Sequence, residues 1–363
     1  VHSGASLLAT ALAEKASLPT VMTLMALGAM PVDHPLSLSM LGMHAARCTN
    51  LALEECDLLI AVGARFDDRA TGKLSQFCPQ AQIIHVDIDP SELDKLKVAH
   101  VGLHGDVGQV LKGLLPLVKP VIREAWLGRV AQLKRDFPLA MPKVEDSRSH
   151  YGLVKAVADA LDDSAAIATD VGQHQMWVAQ AYPLRRPRQW LTSGGLGTMG
   201  YGLPAAIGTQ LAHPGALVID IAGDASIQMN IQELSTCRQY TIPVKIINLN
   251  NRYLGMVRQW QELYYGNRYS ESYMDSLPDF VKLAEAYGHV GMRIEKPADV
   301  EPALREAFSP ALRDRLVFLD FMTDRTSNVY PMVGNGKGLD EMELPPHMRH
   351  NGGDGERDYG NLC

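Results

Sequence analysis

The sequence predicts an α/β protein built of two doubly wound parallel-sheet domains. Short apolar strands alternate with helix-patterned segments from Pro19 to about Val118, and the alternation resumes at Tyr151. Two apolar strands, Leu217 to Ala222 and Val244 to Leu249, are separated by enough chain for a helix, as a parallel crossover requires. A length of 363 residues also suits two domains.

The chain opens on a helix pattern, Ala5 to Glu14, with neither an initiating Met nor signal-peptide character. This start suggests that a preceding strand, and a further domain before it, are missing. In the first domain, 1–118, strands are expected at Val21–Met25, Leu58–Val62 and Ile83–Asp87. Helices are expected from His44 to Glu55 and from Val107 to Leu117. Residues 119–149 read as a linker with its own amphipathic helix, Arg123 to Arg135, followed by Pro138, Pro142 and a polar run. The second domain, 150–340, begins with a helix ending at Leu161, a strand Ala166–Asp170, a helix from Gln173 and a short strand at Trp190. A helix Gly202–His213 and the two apolar strands follow, then helix Asp279–Tyr287, strand Met292–Ile294, helix Ala298–Phe308 and strand Leu316–Phe321. Residues 341–363 are polar and glycine-rich and are expected to form a flexible tail.

Composition narrows the function classes. The chain is 46% hydrophobic and 21% charged, with net charge −7 and no basic cluster, so neither nucleic acid nor an anionic membrane surface is an expected partner. No apolar run approaches the roughly 20 residues needed to span a bilayer. The five cysteines, Cys48, Cys56, Cys78, Cys237 and Cys363, are odd in number and lack Cys-x-x-Cys spacing. Neither a disulfide framework nor a zinc site is indicated, and a reducing cytoplasm fits best.

The chemistry-bearing residues stand at strand ends. Gly223-Asp224-Ala225-Ser226 closes one strand, and Asn250-Asn251 closes the next, 27 residues after Asp224. A carboxylate oxygen, an amide oxygen and a nearby backbone carbonyl suit a hard divalent cation that also binds phosphate oxygens. At Asp170-Val171-Gly172-Gln173-His174 a strand turns through glycine into a helix, where free amides and the helix dipole meet an anion. Gln173 and His174 would donate to diphosphate oxygens there; the plain alternative is a polar helix cap. Gly195, Gly197 and Gly200 form a literal Gly-x-Gly-x-x-Gly with Asp220 20 residues beyond, a dinucleotide fingerprint if taken at face value. The preceding strand is barely three residues and Asp220 sits mid-strand, so these glycines read instead as a loop passing close to a flat ring, with Met199 against its face. Met256, Val257 and Trp260 fall at near-helical spacing just after Asn251; they read as a substrate-pocket wall or, more plainly, as a core stripe. In the first domain, the loops at Gly42-Met43-His44, Gly63 to Arg69, Asp87 and Gly105-Asp106 suit a second nucleotide cofactor, with Asp87 accepting from a ribose hydroxyl. Asp67-Asp68-Arg69 reads equally as a surface turn with a local ion pair.

Taken together, six segments closely resemble the acetohydroxyacid synthase (acetolactate synthase) large, catalytic subunit. They are Met40 to His44, Asp57 to Arg69, Val86 to Pro90, Asp170 to Trp177, Gly195 to Pro204 and Leu254 to Trp260, within a match from about Pro19 to Met332. The resemblance implies thiamin diphosphate held through Mg²⁺ in the second domain and FAD, without net redox role, in the first. It implies Asp224, Asn251 and the backbone oxygen of Tyr253 as Mg²⁺ ligands, and Gln173, His174 and Ser226, flanked by Gly223 and Ala225, around the diphosphate. Gly197 and Met199 would hold the aminopyrimidine, with Met256 in the catalytic set; Trp260 would favour 2-oxobutyrate as acceptor and Arg69 would bind the second oxoacid's carboxylate. FAD would contact Gly42, Met43, His44, Gly63, Arg65, Asp67, Asp87 and Asp106. The implied reaction decarboxylates pyruvate and joins the two-carbon unit to pyruvate or 2-oxobutyrate, toward branched-chain amino acids. A homodimer or tetramer and a regulatory small subunit are the implied partners.

Ala225 and Ala45 replace commoner glycines of the family. The family's N-terminal domain, whose glutamate activates the cofactor across a dimer interface, has no counterpart here, and the loss of such a group implies a rate roughly a hundredfold lower or worse. Two other readings stand beside this one: a different thiamin-dependent carboligase, such as glyoxylate carboligase, and a non-catalytic cofactor-binding fragment.

Overall fold

The computed structural model describes residues 1–346. Its first part comprises α1 (Ser6–Ala16), β1 (Thr20–Met22), β2 (Ser37–Met40), α2 (Arg47–Glu55), β3 (Leu58–Val62), α3 (Asp68–Thr71), β4 (Gln82–Asp87), β5 (Val101–His104) and α4 (Val107–Leu114). α5 (Glu124–Asp136) follows, and its Val130 and Leu133 pack with Leu38, Cys48 and Ala52 of the first part. Arg129 of α5 also donates to Glu55 through Nε at 2.7 Å and Nη2 at 2.5 Å. The second part runs α6 (His150–Asp159), β6 (Ala166–Thr169), α7 (Gln173–Ala181), β7 (Trp190–Leu191), α8 (Gly202–Ala212), β8 (Val218–Gly223), α9 (Glu233–Gln239) and β9 (Lys245–Asn250). It continues with α10 (Gly255–Tyr264), α11 (Phe280–Ala286), β10 (Val290–Ile294), α12 (Pro297–Ala307), β11 (Val317–Met322), β12 (Met332–Val333) and β13 (Met342–Glu343).

The large sheet has six strands in the order β10-β11-β9-β8-β6-β7, paired in parallel throughout. Its apolar strands are covered on both faces, as parallel sheets require. Ile219, Ile221, Ile247, Leu319 and Phe321 point into one core, and Val218, Ala222, Ile246 and Phe318 into the other, the period of two expected of a strand. Each such side chain stabilises the fold by about 1.5–3 kcal/mol on burial. The first of these cores also takes in Met22, Leu27, Met30 and Met40, so apolar packing is continuous between the two parts of the chain. β6 leads through α7 to β7 on one side, whereas β8 lies on the other. The polypeptide therefore reverses direction across the sheet between β6 and β8, the crevice where open α/β sheets bind ligands.

The smaller sheet, β3-β4-β5, is also parallel. Several expectations need correction. The helix expected to open at Gly42 to His44 begins at Arg47, because the chain first turns at Gly42 (φ 96°) and Ala46 is extended. A β-carbon on Gly42 would lie 2.2 Å from the Arg69 carbonyl, so only glycine allows that approach. The strand expected at Val21–Met25 stops at Met22 and gives way to a 3₁₀ turn over Leu24–Ala26. β2, β5, β12 and β13 were not anticipated: Ser37-Leu38-Ser39-Met40 and Val101-Gly102-Leu103-His104 have little strand character, and the last two are two residues each. Pairing of Met342–Glu343 with Met332–Val333 means that the tail expected from 341 opens with a paired segment, and its remainder from 347 lies outside the described residues.

Candidate functional site

β6, β8 and β9 end side by side, and the residues that follow them form a polar cleft. Val171, Gly172, Gln173, His174, Gly223, Asp224, Ala225, Ser226, Asn251, Tyr253 and Gly255 line a space of about 40 Å³. Asp224 is 1% exposed; its Oδ1 accepts from Ala225 N at 2.9 Å and its Oδ2 from Arg252 N at 2.5 Å. Burial pushes its carboxyl up to about 7 against those two amides. Asn251 Oδ1 accepts from Tyr253 N at 3.0 Å. Tyr253 pairs with Tyr273 in an isolated antiparallel bridge whose hydrogen bonds run through Arg252 O and Leu254 N, leaving Tyr253's own amide and carbonyl turned away from that partner. A buried carboxylate, an amide oxygen and a carbonyl without a hydrogen-bond donor among the described residues, around one small cleft, fit a hard divalent cation.

Two helices start at this cleft, α7 at Gln173 and α10 at Gly255, so both present unbonded amides and the positive end of a dipole to it. The close packing depends on glycine. A β-carbon on Gly255 would lie 2.1 Å from Gln173 Oε1, and one on Gly223 would lie 2.8 Å from His174 Nδ1. His174 is buried, its Nε2 has no hydrogen-bond partner, and burial lowers its imidazole to about 3, so it is neutral. With Nδ1 donating to the Asp170 carbonyl, the free Nε2 of this neutral ring is an acceptor, and it is the two helix starts beside it that fit an anion-bearing ligand. Ser226 Oγ is engaged with the carbonyl of Gly223 at 3.2 Å. The Gln173 side chain lines the cleft and is already engaged there: its Nε2 donates to Gln259 Oε1 at 2.9 Å and to Ser327 O at 3.1 Å, tying α7 to α10, and its Oε1 accepts from Asn251 Nδ2 at 3.5 Å. Gln259, fully buried, is a residue that sequence reasoning missed; it lies one position from Trp260 on the inner face of α10.

The glycine loop lies beside the same crevice. Gly197 (φ 73°) is exposed and Met199 half-buried, while Gly200 N donates to Asp170 Oδ1 at 2.6 Å and Asn230 Nδ2 donates to Gly200 O at 2.6 Å. Asp170 and Asn230 thus set the loop, and neither was singled out for that task. Asp220 is fully buried within β8, with burial and the Asp170 charge raising its carboxyl, which is no position for a ribose contact. Beyond the cleft, α10 presents Met256, Val257 and Trp260 to a groove of about 520 Å³, closed by Gln261, Tyr265 and Arg268.

The first-domain candidates gather at the ends of β3 and β4. Gly63 (φ 62°) follows β3, with Val107 Cγ2 3.8 Å from where its β-carbon would be. Asp87, 6% exposed, ends β4 and accepts from Asp89 N at 2.9 Å. Asp106 caps α4 by accepting from Gln109 N at 3.0 Å. Arg65 pairs with Asp67 at 3.6 Å, and Arg69 with Asp68 at 3.3 Å, both in solvent, so the local ion pairs of the plain reading are present. Arg65 also reaches Gly195: its Nη2 would lie 3.8 Å from a β-carbon there. Met43 is stitched between Arg69 O and Val333 N, both at 2.9 Å. His44 is buried; its Nδ1 lies 3.1 Å from Pro331 O, and burial lowers its imidazole to about 4.

Comparison with known proteins places this geometry. Residues 170–321 match the description "Thiamine pyrophosphate enzyme, C-terminal TPP binding domain", and residues 1–114 match "Thiamine pyrophosphate enzyme, central domain". The acetolactate synthase isozyme 1 large subunit of Escherichia coli (strain K12) is 53% identical over 331 residues, 91% of this chain and 58% of the relative. Isozyme 3 of the same organism is 46% identical over 339 residues, covering 91% of this chain and 59% of the relative. The large subunit of Haemophilus influenzae is also 46% identical, covering 92% and 59%. The chain therefore spans 58–59% of the length of these three relatives. With the cleft at the ends of β6, β8 and β9 falling inside the matched binding domain, the chain belongs to the thiamine pyrophosphate enzymes, whose central domain and C-terminal TPP binding domain it carries.

Proposed function

We propose that this chain is the cofactor-holding portion of an acetolactate synthase large subunit. The observation that supports this best is the conjunction of the polar cleft around Asp224 and Asn251 with the aromatic groove of Met256, Val257 and Trp260, both built on α10. In this reading Asp224, Asn251 and the Tyr253 carbonyl hold Mg²⁺. The amides at the starts of α7 and α10 face the diphosphate, and His174 lines the same cleft with a ring that donates to it through Nε2 only once protonated. Thiamin diphosphate, when bound, supplies the carbon that attacks the 2-oxo group of pyruvate and accepts the electron pair left when CO₂ departs. Gly197 and Met199 orient its pyrimidine, and the Gly200 amide, tied to Asp170, keeps that loop in place.

The rest follows the family's logic on this chain's residues. Met256 and Trp260 limit acceptor size, so that pyruvate or 2-oxobutyrate enters, and Arg69 holds the acceptor carboxylate. Gly42, Met43, His44, Gly63, Arg65, Asp67, Asp87 and Asp106 form the FAD face, with Asp87 and Gly63 the best placed for it. The products, 2-acetolactate and 2-aceto-2-hydroxybutyrate, supply branched-chain amino-acid synthesis. Assembly as a dimer or tetramer, with a regulatory small subunit, belongs to the same reading. The test is acetolactate formation from pyruvate with thiamin diphosphate, Mg²⁺ and FAD, for this chain alone and joined to the remaining part of a relative's chain. Activity in the joined form supports the reading. Saturable cofactor binding with no acetolactate in either form would instead mark a non-catalytic binding fragment or a different carboligase.

A further inference from the structure

The smaller sheet brings two thiols together. Cys56 follows the last residue of α2, its Sγ donating to Leu53 O at 3.1 Å, and Cys78 lies in the turn that leads into β4. β3 and β4 run side by side with Leu58 opposite Gln82, and Gln82 N donates to Asp57 O at 2.8 Å, so the residues just ahead of both strands converge. Cys78 is 1% exposed among Leu53, Phe66, Phe77 and Ile83, and Cys56 packs against that same cluster from a partly exposed position. The two thiols thus share one cluster and influence each other's ionisation. Cys48 and Cys237, by contrast, lie buried in two other clusters, without a second thiol among the described residues.

We propose that Cys56 and Cys78 form a peroxide-responsive dithiol that closes to an intramolecular disulfide. The partly exposed Cys56 is the sulfur that a peroxide reaches. Its thiolate attacks one peroxide oxygen, the O–O bond breaks, and Cys56 becomes a sulfenic acid while one water leaves. Cys78 then attacks that sulfur, the S–OH bond breaks, a second water leaves and the S–S bond forms. Two thiols have lost two electrons and two protons, and hydrogen peroxide has been reduced to water. Local charge favours this order. The neighbouring Cys78 thiol draws the Cys56 thiol below its ordinary range against the opposing effect of burial, while Cys78 is held above its own by Cys56 and by burial. Once Cys56 is oxidised that influence ends, and the Lys97 ammonium, whose Nζ donates to Phe77 O at 2.6 Å, favours the Cys78 thiolate. In a reducing compartment such a pair acts as a transient sensor rather than a structural bridge.

The test uses the full chain and a small excess of hydrogen peroxide. Intact mass should fall by two hydrogen atoms, dithiothreitol should restore it, and peptide mapping should give one cross-linked pair containing Cys56 and Cys78. In Cys78→Ser the loss of two hydrogens should disappear and a dimedone adduct should appear on Cys56. Mapping of the unaltered chain is decisive even where a variant folds poorly. Sulfinic acid on Cys56 with Cys78 still reduced, or a bridge to Cys48, Cys237 or Cys363, would overturn the proposal. The readout needs neither thiamin diphosphate nor pyruvate, so it stands or falls apart from the carboligase reading.

Discussion

Asp224 and Asn251 carry the cation in the proposed site. Asp224→Ala removes the one carboxylate among the residues lining the cleft, whose other polar groups are amides, carbonyls, the Ser226 hydroxyl and the His174 ring. Metal-dependent thiamin diphosphate binding should weaken by about 100-fold or more, since even outer-shell partners cost 10–100-fold. Trp177 lines the cleft, so intrinsic fluorescence during a Mg²⁺ and cofactor titration reads the loss without any turnover. Unchanged affinity would remove Asp224 from the metal site. Trp260, in the neighbouring groove, should act on selectivity alone. Trp260→Leu is expected to lower the preference for 2-oxobutyrate over pyruvate by about tenfold, the scale of a methylene-sized change in an apolar pocket. The product ratio from mixed oxoacids measures it, in the joined form that turns over.

At the scale of the element, two buried titratable groups hold secondary structure in place. His150 opens α6, is stacked on Trp177 of α7 at 3.7 Å between ring centroids, and has no hydrogen-bond partner at either ring nitrogen. Burial lowers it to about 3, with the Asp324 carboxylate raising it slightly and His174 acting in the same sense as burial. The folded chain therefore keeps it neutral where the unfolded chain, near 6.5, takes a proton. Its contribution is present above that value and is lost as pH falls from 6.5 toward 3, the loss amounting to about 3 kcal/mol near pH 4.5. His150→Phe retains the stack without the titration, so its denaturant midpoint should fall less between pH 7 and 4.5 than that of the parent chain. An equal fall in both would show that His150 does not carry the acid sensitivity. Lys245, at the start of β9 and fully buried, donates to Leu312 O at 2.7 Å, Arg313 O at 3.3 Å and Arg315 O at 2.5 Å. Lys245→Met would leave those carbonyls without this donor and should cost about 3 kcal/mol in urea unfolding.

At the scale of the whole molecule, the two proposed cofactor faces lie on different sheets but touch, through Arg65 at Gly195 and through the core shared by Met22, Met40 and the second domain. Asp87→Ala, at the end of β4, should weaken FAD binding about tenfold, the equivalent of one hydrogen bond to a charged acceptor, while leaving the thiamin diphosphate titration unchanged. Flavin fluorescence quenching separates the two. Loss of both titrations together would mean that the substitution unfolds the first domain rather than removing one contact.

Much of this was legible residue by residue. Apolar runs of four to six residues ending in Asp, Asn or Gly mark strands buried on both faces, and spacing alone placed Asp224 and Asn251 at the ends of neighbouring strands. Periodicity likewise put Met256, Val257 and Trp260 on one wall. Local pattern could not find β2 or β5, because Ser37–Met40 and Val101–His104 owe their extended form to pairing partners far away in the chain. Nor could it show that Gln173 turns toward Gln259, that His44 is sealed against Pro331, or that Cys56 meets Cys78. Strand and helix periods are local properties of a chain, whereas the direction of a buried polar side chain is set by which distant donor or acceptor lies within hydrogen-bond reach after folding.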